Sequence, residues 1–221
     1  LKEVVGSKTL KGPVGEIRLN WDKVQRGRQG VVDQLVKGLV FLLEKGKVEI
    51  VKAPARLRPD KSIVVRTAEG ERAYEADRVI VATGSRAASL PFLKTDGRAV
   101  ITSTEALELP EIPKSLLVIG AGAIGLEMGS IYRRLGTDVT VLEILPQILP
   151  GSDREAAARL ERALKKQGLK ILTEMRIDEA AVEEGAVTLK GLCLKTNAPF
   201  AFRAEKVLLS AGRKPNTADL F

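Results

Sequence analysis

The sequence is poor in cysteine and contains no histidine. Its 221 residues include one cysteine, Cys193. A single thiol cannot form an intrachain disulfide framework, and it excludes a dithiol active site within these residues. We therefore expect Cys193 to be an inert thiol and the chain to reside in a reducing compartment.

Long apolar runs and aromatic residues are also scarce. No stretch of about 18 apolar residues is present, and the opening LKEVVGSKTLKGPVG lacks the features of a secretory signal, so the sequence predicts a cytoplasmic protein without membrane association. The net charge of +8 comes mostly from residues 1–60, where it is spread through an amphipathic helix and its flanks. Because only 4% of the residues are aromatic, few side chains are available to stack on bases, and nucleic-acid binding is not favoured.

The order of apolar segments predicts an α/β fold. Residues 21–46 have helical spacing, and residues 47–57 and 61–76 predict an antiparallel ribbon that leads into a buried strand at 79–83. A proline-containing stretch without periodicity follows, which places a domain boundary near residue 110. Beyond it, strands and helices alternate, as expected for a doubly wound parallel sheet. The predicted elements are strand 115–119, helix 122–135, strand 138–143, helix 153–167, strand 169–173, a ribbon around 176–203, and strand 206–211.

Side-chain spacing in the two later helices predicts which faces are buried. In the first, the spacing places one apolar face against the sheet, formed by Ile124, Met128, Ile131 and Leu135. In the second, Leu160 and Leu164 are expected to face the sheet, and Ser152 with Glu155 has the spacing of a capping box.

A glycine-rich loop joins strand 115–119 to the helix that follows. Gly120, Gly122 and Gly125 have G-x-G-x-x-G spacing, with Ala123 and Ile124 between the last two glycines. This spacing between an apolar strand and an amphipathic helix predicts a dinucleotide site. The first glycine permits a tight turn, the second lets the backbone approach a pyrophosphate, and the third permits close packing of the helix. A simple glycine-rich turn is the alternative.

An acidic residue ends the next strand, DVTVLE. Glu143 follows Gly120 by 23 residues, the region in which a carboxylate accepts hydrogen bonds from the adenosine ribose. A carboxylate there repels a 2′-phosphate, and no Arg or Lys lies between Arg134 and Arg154 to attract one. These features favour NAD over NADP, whereas the alternative is a solvated strand end.

The sequence contains a near repeat. ADRVIVATGS at 76–85 resembles AEKVLLSAGR at 204–213, 128 positions later. If the second copy closes a dinucleotide-binding unit that begins at Gly120, the first copy is expected to close another unit whose glycine loop precedes Leu1. We therefore expect the chain to be a segment of a longer protein with two nucleotide-binding domains. Coincidence between two apolar strands ending in glycine is the alternative.

Four stretches together resemble the flavoprotein disulfide reductases, particularly the members that oxidise dihydrolipoamide. They are VIVATGS, LPEIPKSLLVIGAGAIGLEMGSIYRRLG, VTVLEILPQILPGSDRE and AGRKPNT, and the resemblance extends over nearly the whole chain. It implies FAD and NAD as cofactors. Residues 111–221 would form a Rossmann-like NAD-binding domain, and residues 1–110 would be the C-terminal part of an FAD-binding domain.

The resemblance also implies roles for individual residues. Glu127 matches a helix glutamate near the nicotinamide and is the catalytic candidate. The residues matching FAD contacts are Ala82, Thr83, Gly84 and Ala55, although Pro54 replaces an aromatic residue of the family pattern. The residues matching NAD contacts are Gly120, Gly122, Gly125 and Glu143, with Gly212 and Arg213 at the border of the site.

The chain lacks several parts of the family pattern. These are the N-terminal FAD loop, the redox cysteine pair and the C-terminal interface domain with its catalytic His and Glu, so the segment alone is expected to be inactive. The family implies a homodimer whose substrate is dihydrolipoamide on an acyltransferase subunit of a 2-oxoacid dehydrogenase complex. A mercuric reductase-like enzyme and a non-catalytic, stand-alone nucleotide-binding module are alternatives.

Overall fold

A computed structural model describes residues 19–218 and residue 220. The chain divides into two compact units between Ile50 and Val51. The first unit contains helix α1 (Trp21–Lys45), which confirms the predicted helix. The Asn20 side chain accepts a hydrogen bond from the Lys23 amide at 2.9 Å, so the helix begins with a side-chain cap. None of the helices in the described ranges is both long and apolar enough to span a membrane.

Short strands and three helices build the described part of the second unit. In chain order, they are β1 (Ala55–Leu57), β2 (Ile63–Thr67), β3 (Gly70–Tyr74), β4 (Ser85–Ala87), β5 (Val100–Ile101), α2 (Ser103–Leu107), β6 (Ser115–Ile119), α3 (Ala123–Arg134), β7 (Asp138–Leu142), α4 (Arg154–Lys166), β8 (Lys170–Leu172), β9 (Met175–Glu183), β10 (Ala186–Cys193), β11 (Ala198–Ala204), β12 (Lys206–Leu209) and β13 (Arg213–Pro215).

A five-stranded parallel sheet organises this unit. Its strand order is β5-β12-β6-β7-β8, so the last of these strands in sequence lies near the centre. Successive residues of β6 contribute to opposite layers: Leu116 and Val118 belong to a core with the helices, and Leu117 and Ile119 to a core with the antiparallel sheet β9-β10-β11. Coverage of both faces explains the continuous apolar runs. The predicted α/β architecture is confirmed.

Two expectations about helix faces need correction. On α3, the buried residues are Gly125, Leu126, Gly129 and Tyr132, whereas Ile131 is exposed. Gly125 and Gly129 let the helix backbone approach the sheet, and Leu126 and Tyr132 are buried beside them. Of the four predicted residues, Met128 and Leu135 are partly buried against this core. On α4, Leu164 is buried but Leu160 remains 37% exposed.

The start of α4 also differs from the expected capping box. The cap is Asp153, not Ser152, because the Asp153 carboxylate accepts a hydrogen bond from the Ala156 amide at 2.9 Å. The Ser152 amide instead donates to the Leu149 carbonyl within the preceding turn. Both residue types favour this position, and the turn geometry decides between them.

The stretch without sequence periodicity contains three elements that the pattern did not predict, β4, β5 and α2. A capping box starts α2: the Glu105 carboxylate accepts hydrogen bonds from the Thr102 amide and hydroxyl, and the Thr102 hydroxyl accepts one from the Thr104 amide. The buried Tyr132 hydroxyl donates to the Ala106 carbonyl and joins α2 to α3.

The predicted buried strand at 79–83 is wrong. Residues 78–84 have no strand assignment, and Ile80 is 90% exposed. A parallel strand needs neighbours for its backbone groups, and no strand within 19–218 pairs with this segment. The ribbon before it is confirmed as β1-β2-β3. Immediately after it, β4 pairs with β13, so the ends of the two repeat copies lie side by side.

Candidate functional site

A cavity of about 500 Å³ opens at the carboxyl ends of the central parallel strands. Such edges are the usual ligand sites of open α/β sheets. The cavity combines backbone from the glycine loop, a buried carboxylate and an apolar wall. The lining residues are Leu90, Phe92, Ile119, Gly120, Gly122, Leu142, Glu143, Ile144, Leu145, Pro150, Met175, Ile177, Ser210, Ala211 and Gly212.

At two positions of the loop, close contacts with neighbouring atoms leave no room for a Cβ atom, so glycine is required there. Gly120 has φ +101°, and a Cβ there would lie 2.7 Å from the Ser210 carbonyl oxygen. A Cβ on Gly125 would lie 2.1 Å from the Gly120 carbonyl oxygen and 2.6 Å from the Ser210 hydroxyl oxygen. Both approaches are far shorter than van der Waals contact. The loop therefore folds tightly onto the end of β12.

The middle glycine has a different environment. Gly122 has φ −74°, an ordinary value, and a Cβ there would meet no atom of the described residues within 4 Å. It is the N-cap of α3, and no side chain accepts a capping hydrogen bond there. The first turn, which includes Ala123 and Ile124, therefore offers amide groups and the positive end of the helix dipole beside the cavity.

Glu143 is 6% exposed, so it is not a solvated strand end. One carboxylate oxygen accepts a hydrogen bond from the Ala121 amide at 2.7 Å, and the other accepts one from the Leu145 amide at 3.0 Å. The strand end thus connects directly to the glycine loop. Each carboxylate oxygen has capacity for a further hydrogen bond, so a ligand hydroxyl can be added without breaking these contacts.

Ser210 is a polar residue of the cavity that the motif did not indicate. Its hydroxyl lies 2.8 Å from the Ile119 carbonyl oxygen and 3.1 Å from the Gly120 carbonyl oxygen. It follows β12, which places it beneath the loop. In the sequence, Ser210 is marked only as the small residue that precedes Ala211 and Gly212 at the end of the second repeat copy.

The apolar wall of the cavity was not found from the sequence either. Leu90 and Phe92 come from the segment before β5, Met175 and Ile177 from β9, and Leu145 from the loop after β7. These residues are distant in sequence and meet only in the folded chain, with β9 packed beside Glu143. The Met175 amide donates to the Glu143 carbonyl at 2.8 Å.

Gly212 lines the cavity, but Arg213 is directed elsewhere. Its guanidinium donates hydrogen bonds to the Ser85 hydroxyl at 2.7 Å and to the Ser85 carbonyl at 2.5 Å. The Asn216 side chain donates to the Thr83 carbonyl at 3.2 Å. These contacts fasten the end of the second repeat copy to the end of the first.

The remaining candidates do not line this cavity. Ala82, Thr83 and Gly84 lie on exposed backbone before β4, and Ala55 begins β1. Glu127 is exposed on α3. Cys193 is half-buried at the end of β10, and a hydrogen bond with the Thr196 side chain lowers the pKa of its thiol. Among the residues with described positions, no group of three or more potential ligands forms a metal site.

Comparison with known proteins agrees with this architecture. The sequence profile of the pyridine nucleotide-disulphide oxidoreductase family matches residues 3–220. The chain is 41% identical over 203 residues to dihydrolipoyl dehydrogenase 3 of Pseudomonas aeruginosa, covering 91% of the chain and 44% of the relative. It is 34% identical over 203 residues to dihydrolipoyl dehydrogenase of Bacillus subtilis, covering 92% and 43%.

The fold is similar to that of a solved member. The HOCl-induced flavoprotein disulfide reductase RclA from Escherichia coli superposes with a TM-score of 0.74 at 26% identity, covering 91% of this chain and 45% of that one. The chain thus spans less than half the length of the relatives it matches. Family profile, sequence identity and fold agree, and the chain belongs to the pyridine nucleotide-disulphide oxidoreductase family.

Proposed function

We propose that the cavity binds NAD as part of a flavin-dependent dihydrolipoamide dehydrogenase. The observation that carries this proposal is the uncapped N-terminus of α3 at Gly122, beside the buried carboxylate of Glu143. One feature suits an anion and the other suits a hydroxyl-bearing sugar. Their spacing along a strand, loop, helix and strand is that of a dinucleotide site.

The glycine loop fits a pyrophosphate. The backbone at Gly122 is open to the cavity, and the helix start provides amide donors without a competing side chain. A pyrophosphate at this position would accept those hydrogen bonds and interact favourably with the helix dipole. Gly120 and Gly125 contribute indirectly, because their lack of Cβ atoms lets the loop reach this shape.

The carboxylate of Glu143 supports NAD in preference to NADP. It is held by two backbone amides and retains acceptor capacity toward a ribose hydroxyl. A 2′-phosphate at the same place would be repelled. No Arg or Lys between Arg134 and Arg154 offsets that repulsion. The apolar wall with Met175 and Ile177 suits the flat face of a base.

For the redox reaction, we propose that residues 55 and 82–84 contact FAD and that the Gly212 end of the cavity orients the nicotinamide. When bound, FAD supplies the redox chemistry that links dihydrolipoamide oxidation to hydride transfer to NAD. The pairing of β4 with β13 joins the segments after Gly84 and Gly212, which supports a role in orientation. Glu127 is proposed to act near the nicotinamide from α3.

At the level of the parent protein, we propose a cytoplasmic homodimer acting on dihydrolipoamide carried by an acyltransferase subunit of a 2-oxoacid dehydrogenase complex. Identities of 34% and 41% to two dihydrolipoyl dehydrogenases support this substrate over that of other disulfide reductases. The segment lacks a second cysteine and any histidine, so it is proposed to bind NAD without completing the dithiol reaction alone.

Calorimetric titration of the purified chain with NAD and NADP tests the proposal, with the visible absorbance of flavin recorded on the same sample. We expect saturable NAD binding and at least about tenfold weaker NADP binding, the factor that 1.4 kcal/mol of phosphate repulsion provides. Adenosine is the control ligand, because it contacts the acid end of the site without a pyrophosphate. Failure of both dinucleotides to bind a folded chain would contradict the proposal.

A further inference from the structure

We propose that Ser210 is a positioning residue that fixes the glycine loop in its anion-binding shape. The inference rests on the proposed NAD function and names a residue that the G-x-G-x-x-G spacing does not include. Ser210 lies immediately after β12, on the far side of β6 from Glu143. It therefore meets the loop from the opposite side.

The hydroxyl of Ser210 is placed between two carbonyl oxygens of the loop. Its distances to the Ile119 and Gly120 oxygens are 2.8 Å and 3.1 Å, so its single proton serves both acceptors. The Ser210 amide also donates to the Ile119 carbonyl at 2.9 Å. The backbone and side chain of one residue thus hold the point where β6 becomes the loop.

One peptide group is held from both sides. The Gly120 carbonyl and the Ala121 amide belong to the same planar unit, in which C=O and N–H point in opposite directions. Ser210 contacts the carbonyl end, and the Glu143 carboxylate accepts the amide end at 2.7 Å. Because both ends are fixed by side chains from neighbouring strands, rotation of this peptide is opposed in either direction.

The fixed peptide determines what the next residues can do. With the Ala121 amide committed to Glu143, the donors left for a ligand are those at Gly122 and in the first turn of α3. A loop already in its bound shape loses less conformational freedom when the ligand arrives. Ser210 therefore acts on pyrophosphate affinity through the loop, without touching the adenosine end.

Space around Ser210 limits its replacement. The hydroxyl oxygen would lie 2.6 Å from a Cβ on Gly125, so it occupies the volume that the glycine leaves free. Ser210→Ala is the informative substitution, because it removes the hydrogen bonds without adding atoms. Ser115→Ala is a matched control: the Ser115 hydroxyl accepts a hydrogen bond from the Glu205 amide at 2.9 Å and joins β6 to the start of β12 at the other edge of the sheet.

Two measurements on the full chain test the inference. The first is hydrogen exchange of the amides of residues 120–123 without ligand, where Ser210→Ala is expected to accelerate exchange about fivefold to tenfold, in line with the loss of a partly buried hydrogen bond. The second is affinity for NAD and for adenosine by calorimetry. We expect Ser210→Ala to weaken NAD binding by a similar factor and to leave adenosine binding unchanged, whereas Ser115→Ala changes neither.

Each outcome separates the two proposals. Faster loop exchange in Ser210→Ala, together with no NAD binding by the unmodified chain, would retain the positioning role and reject the NAD site. Unchanged loop exchange would overturn the inference, as would equal losses of NAD and adenosine affinity, because the latter indicates general destabilisation. Unchanged NAD affinity despite faster exchange would show that loop order does not govern binding and would also overturn it.

Discussion

At the residue scale, the glycines of the loop differ in the space around them, and this difference predicts separate effects. Gly122→Val adds atoms where none lie within 4 Å and keeps an ordinary backbone conformation. We expect the free energy of unfolding to fall by about 0.5–1 kcal/mol, because Gly122 is the N-cap of α3 and valine is a poorer N-cap residue than glycine. Because the side chain enters the approach to the helix N-terminus, we expect NAD affinity to fall at least about tenfold, a loss of 1.4 kcal/mol. Calorimetry and thermal unfolding measure the two effects.

Two variants bracket this result. Gly30→Ala on α1 also adds a Cβ that meets nothing within 4 Å, and it should leave NAD affinity unchanged. Gly125→Ala forces a Cβ to 2.1 Å from the Gly120 carbonyl oxygen and should cost at least about 2 kcal/mol of stability through overpacking. An unaltered NAD affinity in Gly122→Val would remove this glycine from the proposed site.

The Glu143 carboxylate also holds the glycine loop, so a substitution of Glu143 changes stability as well as the selectivity between NAD and NADP. Glu143→Ala should weaken discrimination against NADP, but it also leaves the Ala121 amide without its acceptor. We expect a loss of about 1–3 kcal/mol in unfolding free energy. Glu143→Gln removes the charge and keeps one acceptor oxygen, enough for the Ala121 amide, although its NH2 group then lies toward the Leu145 amide. It should therefore narrow the NAD to NADP affinity ratio with a smaller loss of stability.

Denaturant unfolding and paired titrations with NAD and NADP separate these effects. If Glu143→Gln kept the full discrimination against NADP, the charge of the carboxylate would have no role in selectivity. If Glu143→Ala kept full stability, the hydrogen bond to Ala121 would contribute nothing to the loop.

At this scale, spacing along the sequence was enough to select three candidate residues that lie together in the structure. Gly120, Gly122 and Glu143 were named from their positions relative to a strand and a helix, and all three line one cavity. Ser210 and Met175 line the same cavity, but each lies more than 30 residues after Glu143 in the chain, and neither belongs to a motif. Nothing local marks them, because their location depends on how β9 and β12 join the sheet.

At the element scale, Tyr132 couples two helices through a buried hydroxyl. Burial raises the pKa of Tyr132 from 10.0 to about 12. Because the folded value exceeds the unfolded one, the stabilising contribution is fully present below about pH 10 and is lost as pH rises through about 12. Tyr132→Phe should cost about 1 kcal/mol at neutral pH, since the Ala106 carbonyl loses its donor.

The difference between the original chain and Tyr132→Phe should shrink above pH 10. Denaturant unfolding at several pH values from 7 to about 11 measures it, a range chosen below the raised pKa. Tyr74→Phe in β3 is the control for loss of a tyrosine hydroxyl elsewhere in the unit. A constant difference across this range would contradict the assigned cause of the raised pKa.

Elements were predicted well, but their contact faces were not. The segments β6, α3, β7 and α4 agree with the pattern within a residue or two. The buried face of α3 was predicted only in part: Met128 and Leu135 pack against the core, but Ile131 is exposed. Gly125 and Gly129 are buried because they allow the helix backbone to approach the sheet. The short elements β5 and α2 were missed, since five residues or fewer carry too little periodicity and depend on a capping box and a neighbouring strand.

At the scale of the whole molecule, the repeated sequence has two different outcomes. Leu208 in the second copy is fully buried in a strand between β5 and β6, whereas the corresponding Ile80 in the first copy is 90% exposed. We expect Leu208→Ala to cost about 2–5 kcal/mol, the range for loss of a large buried side chain. Ile80→Ala should change stability by less than about 0.5 kcal/mol. Denaturant unfolding of the two variants under identical conditions makes the comparison.

A large loss of stability in Ile80→Ala would contradict the exposure of the first copy.

The two copies also differ in a way that a sequence pattern cannot specify. The apolar triplets Val79 to Val81 and Val207 to Leu209 satisfy the same local rule for a buried strand. Only the second has β5 and β6 on either side of it. Whether an apolar strand is buried therefore depends on the strands that pair with it. The domain boundary expected near residue 110 remains a prediction.

The central position of β12 has a consequence for how the protein is made. Strand β12 lies between β5 and β6, although about ninety residues separate it from β6 in the chain. During synthesis from the N-terminus, β5 and β6 leave the ribosome well before their shared neighbour exists. Both strands therefore present open edges to the cell until Leu209 emerges. We expect the nascent chain to depend on chaperones at this stage, and the cavity at the glycine loop to form as one of the last events of folding.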